Sequence, residues 1–422
     1  MKQKSASNHI LDGRRLIIPR MSTIGASAIA AAFKSIGVHA EVAPKSDDLT
    51  FTRAARFTTG EECLPQRITL GNFLKIMDEP DFDPNKTAFL MPTSSGPCRF
   101  GQYAPLTKKV LRELAYEKAI VFSPTSSNGY AGIADNVNRF KRWSWRAVVV
   151  SDALRKMQYM FRPYEANPGE ADAIAEKGLE ILCEILGNGN LSLKDHLVKL
   201  REALEEIRDH YQQMSLSAPL GSKPLIGLVG EIFVRLNSYS NQNIVRKIEK
   251  LGGEVWIADV SEWVWYTNSE IRRKLREKGR QFSLDMFKTR LAETIQARDE
   301  ADLLRPLHTL FKNRPETRVD DLLAYSAPYL PQKKALGEMT VNAGKAIAFY
   351  HAGADGVIDI CPFTCMNGIV SEAVYPVLSR DYNNLPVRVI YVDGVPIDLE
   401  SHLQIFMELA KSYRNKRLNT TS

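Results

Sequence analysis

Thr87-Ala-Phe-Leu-Met-Pro-Thr-Ser-Ser-Gly96 (TAFLMPTSSG) is an apolar run that breaks at proline into a hydroxyl- and glycine-rich loop. The pattern returns in Lys118-Ala-Ile-Val-Phe-Ser-Pro-Thr-Ser-Ser-Asn-Gly129. Short apolar runs bounded by such loops read as buried strands, and Leu106 to Tyr116 between them reads as a helix. Strand, helix and strand at this spacing predict a parallel α/β sheet, whose strand-end loops line the crevice where ligands usually bind.

Working outward, the same alternation covers the first third of the chain. Arg15-Leu-Ile-Ile-Pro19 precedes an alanine-rich helix around Ser27 to Ile36; strand His39 to Ala43 and helix Leu64 to Ile76 follow. From about Asn136 to Ser217 the pattern is helical, and Ala218 to Pro224 reads as a linker. A second α/β series begins with strand Leu225 to Val229, helix Asn241 to Leu251 and strand Glu254 to Ala258. A helix-rich insertion then occupies roughly Asn268 to Tyr325. Helix Gly344 to His351, strand Gly356 to Ile360, a helix from about Ile369, strand Val387 to Tyr391 and helix Ser401 to Tyr413 complete the chain. The expected architecture is two Rossmann-like α/β lobes, 1–135 and 221–422, joined by a helical segment, 136–220.

Five cysteines punctuate this frame. Cys183 lies in an amphipathic helical run and reads as a packed core thiol. The other four sit beside proline at element junctions: Cys63 in GEECLP, Cys98 in SGPCR, and Cys361 and Cys365 in Asp359-Ile-Cys-Pro-Phe-Thr-Cys-Met-Asn-Gly368. An odd count, in a chain whose basic N-terminus lacks a secretory apolar core, argues against a disulfide framework and points to a cytoplasmic location. Cysteine thiolates beside glycine and proline suit an iron–sulfur cluster. Structural zinc, redox-active thiols and plain packing remain open alternatives. Zinc sites usually combine two local knuckles; only Cys361 and Cys365 form one here.

Composition narrows the classes. The 422 residues are 44% hydrophobic and 25% charged, with a formal net charge of +7, and no apolar run is long enough for a membrane span. Trp143 and Trp145 beside Lys141 and Arg142 are the only hint of a nucleic-acid stacking surface, and solvated helix faces account for the basic clusters more simply. Phosphate-loop, dinucleotide and nucleophile-elbow motifs are absent, and the seven histidines make no H-x-x-x-H pair.

Four stretches together resemble the 2-hydroxyacyl-CoA dehydratase iron–sulfur component family and its activase-related members. They are Ile17 to Met21 with Thr58 to Pro65 and Leu70 to Lys75; Met91 to Tyr103 (MPTSSGPCRFGQY); Gly227 to Glu254; and Asp359 to Gly368 with Asp393-Gly394. The resemblance implies α/β lobes with a [4Fe-4S] cluster between them, ligated by Cys63, Cys98, Cys361 and Cys365. It further implies an ATP-dependent activase, or another low-potential donor, as electron source, and a homodimer or a heterodimer with a related subunit. In the family the electron goes to a 2-hydroxyacyl-CoA thioester. Cys63, Cys98 and Cys365 match the family's cysteine positions, whereas many members carry a small residue at the place of Cys361. Four thiolates would saturate the cluster and suit electron relay; three would leave an iron open for substrate.

Catalytic residues are not assigned by this reading. Thr93, Ser94 and Ser95 are candidates to hydrogen-bond a cluster or ligand, or equally to shape a turn. Arg99 is a candidate to offset negative charge. Glu61 and Glu62 are candidate proton carriers or caps of the helix at Leu64. His351 and Asp359 read as local hydrogen-bonding residues.

Overall fold

The computed structural model describes residues 10–94, 96, 98–124, 137–333, 337–395 and 397–421. The chain divides into two compact units, residues 1–147 with 180–196, and residues 148–179 with 197–422. The helical stretch expected as a connector is thus shared between the units.

The first unit contains β1 (Arg15–Ile18), α1 (Thr23–Lys34), β2 (His39–Val42), α2 (Asp48–Ala54), α3 (Leu64–Met77), β3 (Thr87–Leu90), α4 (Tyr103–Glu113) and β4 (Ile120–Phe122). Its sheet is parallel in the order β2-β1-β3-β4. All four residues of β3 are buried, as a central parallel strand covered on both faces requires. Helix α2 escaped the sequence reading because its seven residues carry no apolar period. Asp47 caps it by accepting from Thr50 N–H at 3.1 Å, and Thr50 Oγ1 donates to buried Asn72 at 2.9 Å. A Cβ on Gly71 would sit 2.0 Å from the Thr50 carbonyl oxygen, so the two helices meet only over glycine.

Three longer helices follow: α5 (Val137–Phe161), α6 (Glu170–Gly187) and α7 (Leu193–Gln212). Trp143 and Trp145 are buried in α5, and Trp143 stacks on His196 at 3.8 Å. The residues that could have offered stacking surfaces for bases are core residues instead. Cys183 is half-buried in α6, its thiol pushed up to about 11 by burial, which makes it unreactive.

The second unit repeats the topology at larger scale. It comprises β5 (Leu225–Gly230), α8 (Ile232–Leu236), α9 (Ile244–Lys250), β6 (Glu254–Ile257), α10 (Val260–Glu277), α11 (Leu284–Leu304), α12 (Val319–Ser326), α13 (Glu338–His351), β7 (Gly356–Pro362), α14 (Met366–Asp381), β8 (Val387–Val392) and α15 (Leu399–Thr421). The parallel order β6-β5-β7-β8 matches that of the first unit. In both, the chain reverses its direction of winding between the first and third strands, and the crevice at their carboxyl ends is the usual ligand position. Among the described residues no helix is long and apolar enough to cross a membrane.

Buried charge marks the second unit. Asp355 is fully buried and accepts from Leu225 N–H at 2.9 Å, Arg414 at 2.9 Å and Arg417 at 2.7 Å, fastening α15 to the sheet. Beyond the end of β6, Lys345 pairs with Glu262 and Lys156 with Glu316; both ammonium groups lie over the Trp256 ring, at 5.3 and 5.2 Å. Asp259, which precedes α10, is held well above the usual carboxylate range by burial and by the charges of Glu316 and Asp152.

Nearby Glu300 accepts from Trp265 Nε1 at 3.0 Å and is pushed up to about 8, first by burial and then by the charge of Glu316. A carboxyl that keeps its proton to about pH 8 when folded, against a usual 4.5, favours the folded state at low pH. That contribution is lost as pH rises between the two values, by up to about 1.4 kcal/mol per unit. Urea unfolding across pH 4.5 to 8 should therefore show a steeper decline for the native chain than for Glu300→Gln. Parallel profiles would count against the shift.

Candidate functional site

In the first unit the cysteines occupy two loops at the carboxyl edge of the sheet. Helix α3 runs back across the sheet into β3, so its N-terminus lies at that edge, and Cys63 is its N-cap residue with Pro65 in the first turn. Cys63 is half-buried against the core of the unit, and its carbonyl accepts from Gln66 N–H at 2.9 Å. Cys98 follows β3 and caps a 3₁₀ turn, Arg99–Gln102, that feeds α4; it is exposed, and its sulfur accepts from Phe100 N–H at 3.5 Å. Arg99 ties the loops together by donating to the Glu61 carbonyl at 2.7 Å, and Gln66 Nε2 donates to the Gln102 carbonyl at 3.4 Å.

Sequence-level candidates around these cysteines prove mainly architectural. Glu62 folds back onto the preceding turn, accepting from Thr59 N–H (3.0 Å) and Gly60 N–H (3.0 Å). Partial burial acts to raise its pKa, but those donors outweigh it and hold the carboxyl below its usual value. It caps the turn before α3 rather than the helix. Thr93 Oγ1 lies 3.5 Å from the Gly101 carbonyl, and Ser123 donates to the Met91 carbonyl at 2.6 Å, joining the two repeated strand-end loops. Ser95 and residues 125–129 of the repeat lie outside the described residues.

The second unit brings Cys361 and Cys365 together. Cys361 was expected in a loop after the strand; instead β7 continues through Pro362, pairing Cys361 with Tyr391 and burying it completely. The Cys361 thiol donates to Asp359 Oδ1 at 3.0 Å, and Tyr375 donates to Asp359 Oδ2 at 2.5 Å. Burial holds the Asp359 carboxyl above its usual value despite these donors. Thr364 turns the chain back with φ of +63°, a conformation β-branched residues rarely adopt, and Cys365 then caps α14. A Cβ on Gly368 would lie 2.9 Å from Cys361 Sγ, so the first turn of α14 can rest on the strand only because that residue is glycine.

The two sulfurs share a hydrogen bond but not a state. Cys361 is raised well above the usual thiol range by its hydrogen-bonding contact with Cys365, then by burial and by Asp359. Cys365 is lowered by that same hydrogen bond, and by the backbone N–H groups of Gly368 and Asn367, against burial. A thiolate at a helix N-terminus is the nucleophilic and metal-binding form. Cys365 is thus shifted toward the thiolate and Cys361 toward the thiol.

Polar groups missed at the sequence level surround Cys365. Glu231, at the end of β5, caps α8 through Val234 N–H at 2.8 Å and is raised by burial. Glu338 is raised well above its usual range by burial, then by the charge of Glu231, with Cys365 adding to it. The Glu338 Oε2 and Asn367 Oδ1 atoms are buried without a hydrogen-bond partner among the described residues. The only local trace was glycine before Glu231 at a strand end. Nothing in the sequence connects that position to Glu338.

Cys63, Cys98 and Cys365 each lie at a helical N-terminus, whereas Cys361 lies within β7. Among the described residues no group of three or more His, Cys, Asp or Glu side chains is gathered to hold a metal ion. Neither a known protein-family model nor a curated protein matches the chain.

Proposed function

We propose that the chain is an iron–sulfur protein of the 2-hydroxyacyl-CoA dehydratase and activase kind. In this reading Cys63, Cys98 and Cys365 supply the thiolates of a [4Fe-4S] cluster, and Cys361 remains a thiol. The observation that carries it is the asymmetry within the C-P-F-T-C loop, a lowered Cys365 beside a Cys361 thiol bonded to Asp359. When bound, such a cluster supplies a low-potential electron, accepted from a separate ATP-dependent donor, to a CoA thioester or small substrate. Three thiolates leave one iron without cysteine, which favours chemistry at the site over simple relay. The chain's own part is to lower the Cys365 thiol at the α14 N-terminus, with the raised Glu338 and Cys361 nearby.

Anaerobic purification followed by iron and acid-labile sulfide assays tests this. Cys63→Ser, Cys98→Ser and Cys365→Ser should each lose most of the iron, and Cys361→Ser should retain it. Loss in Cys361→Ser equal to that in Cys365→Ser would restore four-thiolate ligation and electron relay. A colourless protein carrying stoichiometric zinc would replace the cluster with a structural zinc site.

A further inference from the structure

Strand β8 closes the second unit's sheet on one side and leaves its other edge open. Its register against β7 runs from Val357–Val387 to Pro362–Val392, and the carbonyls of Pro386 and Val392 accept from Val357 and Phe363 N–H. Backbone groups of successive residues in a strand point to opposite sides. The N–H and C=O groups of Val387, Val389 and Tyr391 therefore point away from β7, and among the described residues they have no backbone partner.

Exposed strand edges are normally blunted by charge, proline or a covering element. Here the edge borders a cavity of about 550 Å³ whose lining includes Pro376 and Ser379 of α14, Arg388 and Tyr391 of β8, and Ile397 and His402. One residue added to a sheet occupies about 4.8 by 3.3 by 10 Å, so the cavity has room for roughly three.

The two walls differ in charge. On the α14 side, Tyr391 donates to Glu372 at 2.8 Å, which engages that carboxylate. On the other side, the Arg388 guanidinium meets the His402 ring at 3.4 Å, a partner with no negative charge to give. The acid beside His402 is Asp398, which is occupied in capping α15 through Ser401 N–H at 3.1 Å.

We propose that this edge is a slot for an extended acidic peptide segment of a partner protein. The segment adds as a fifth strand, with a carboxylate facing Arg388 and His402 and small apolar side chains facing Pro376 and Val389. Strand addition of this kind takes affinity from backbone hydrogen bonds and specificity from alternate side chains. A second copy of the chain fits less well. Antiparallel self-pairing about Val389 would place the two Arg388 side chains on one face as diagonal neighbours, about 7–8 Å apart. This proposal does not rest on the iron–sulfur reading.

The test uses a blocked pentapeptide alternating valine and glutamate, its lysine counterpart, and the glutamate peptide with every amide N-methylated. Calorimetric titration should show the glutamate peptide binding at least about tenfold tighter than the lysine peptide, a preference that Arg388→Glu inverts. The N-methylated peptide should not bind. Hydrogen exchange of segment 386–392 should slow only with the glutamate peptide. Equal binding of both charges, no binding at millimolar concentration, or binding of the N-methylated peptide would overturn the proposal. Concentration-dependent protection of segment 386–392 without peptide would assign the edge to a second copy and overturn it as well.

Discussion

Gly230→Ala is expected to destabilise the second unit by about 3–5 kcal/mol, the largest effect of any single methyl group near the candidate site. Gly230 ends β5 with φ of +118°, a region closed to L side chains without strain. An added Cβ would also lie 2.1 Å from the Ile360 carbonyl oxygen and 2.6 Å from its nitrogen. Both atoms are backbone, and Gly230 is paired with Ile360 in the central register of the sheet. No rotamer change can relieve the clash; β5 and β7 must move apart. Ile360 leads directly into Cys361, so the C-P-F-T-C loop moves with it. Gly252→Ala is the control: φ there is +85°, but no atom lies within 4 Å of the added Cβ. Urea unfolding should show only the milder conformational cost at Gly252, on the order of 1 kcal/mol. Similar losses at the two positions would show that strain, not the Ile360 contact, governs Gly230.

The second large effect concerns the Lys345–Glu262 pair. Burial acts to lower the Lys345 pKa, but Glu262, Asp259 and Glu316 more than offset it and hold the ammonium charged. Glu262→Ala removes the partner and leaves a cation sealed against Trp256 and Phe349, at a cost of about 3–5 kcal/mol. The double replacement Glu262→Leu with Lys345→Met removes both charges at similar volume, and should unfold close to, or above, the native midpoint. A double variant as unstable as Glu262→Ala would mean the pair contributes net stability that apolar packing cannot replace.

These residues also show where sequence reading reaches its limit. Strands β3 and β5 were legible because a central parallel strand is apolar on both faces, and their helices followed from period and spacing. The reading placed Cys63, Cys98 and Cys365 at junctions, and junctions are where they lie. Cys361 was misplaced because Pro362 looked like a strand terminator. At the end of β7 its missing N–H costs no ladder bond, since Phe363 makes the next one to Val392. The ionic cluster was invisible for a different reason. Glu262 and Lys345 are 83 positions apart, in α10 and α13. Long-range charge pairing leaves no local period. The same holds for Trp143 and Trp145, whose basic neighbours suggested a surface while their rings pack inward.

The open parallel arrangement of the second unit sets a schedule for acquiring structure. Leu225 at the start of β5 bonds to Asp355, 130 positions later, and β5 has β7 as one of its two sheet partners. On a ribosome, β5 therefore emerges long before that partner exists. Its six buried residues, Leu225 to Gly230, must wait while more than a hundred others are added. At about 5–20 residues per second that wait lasts several seconds or more. The first unit's four strands are complete by Phe122, so it can close earlier. Newly made chains should thus pass through a stage with one finished sheet and one exposed apolar strand. That stage is when the protein most needs a chaperone, and truncation between residues 260 and 355 should yield insoluble product.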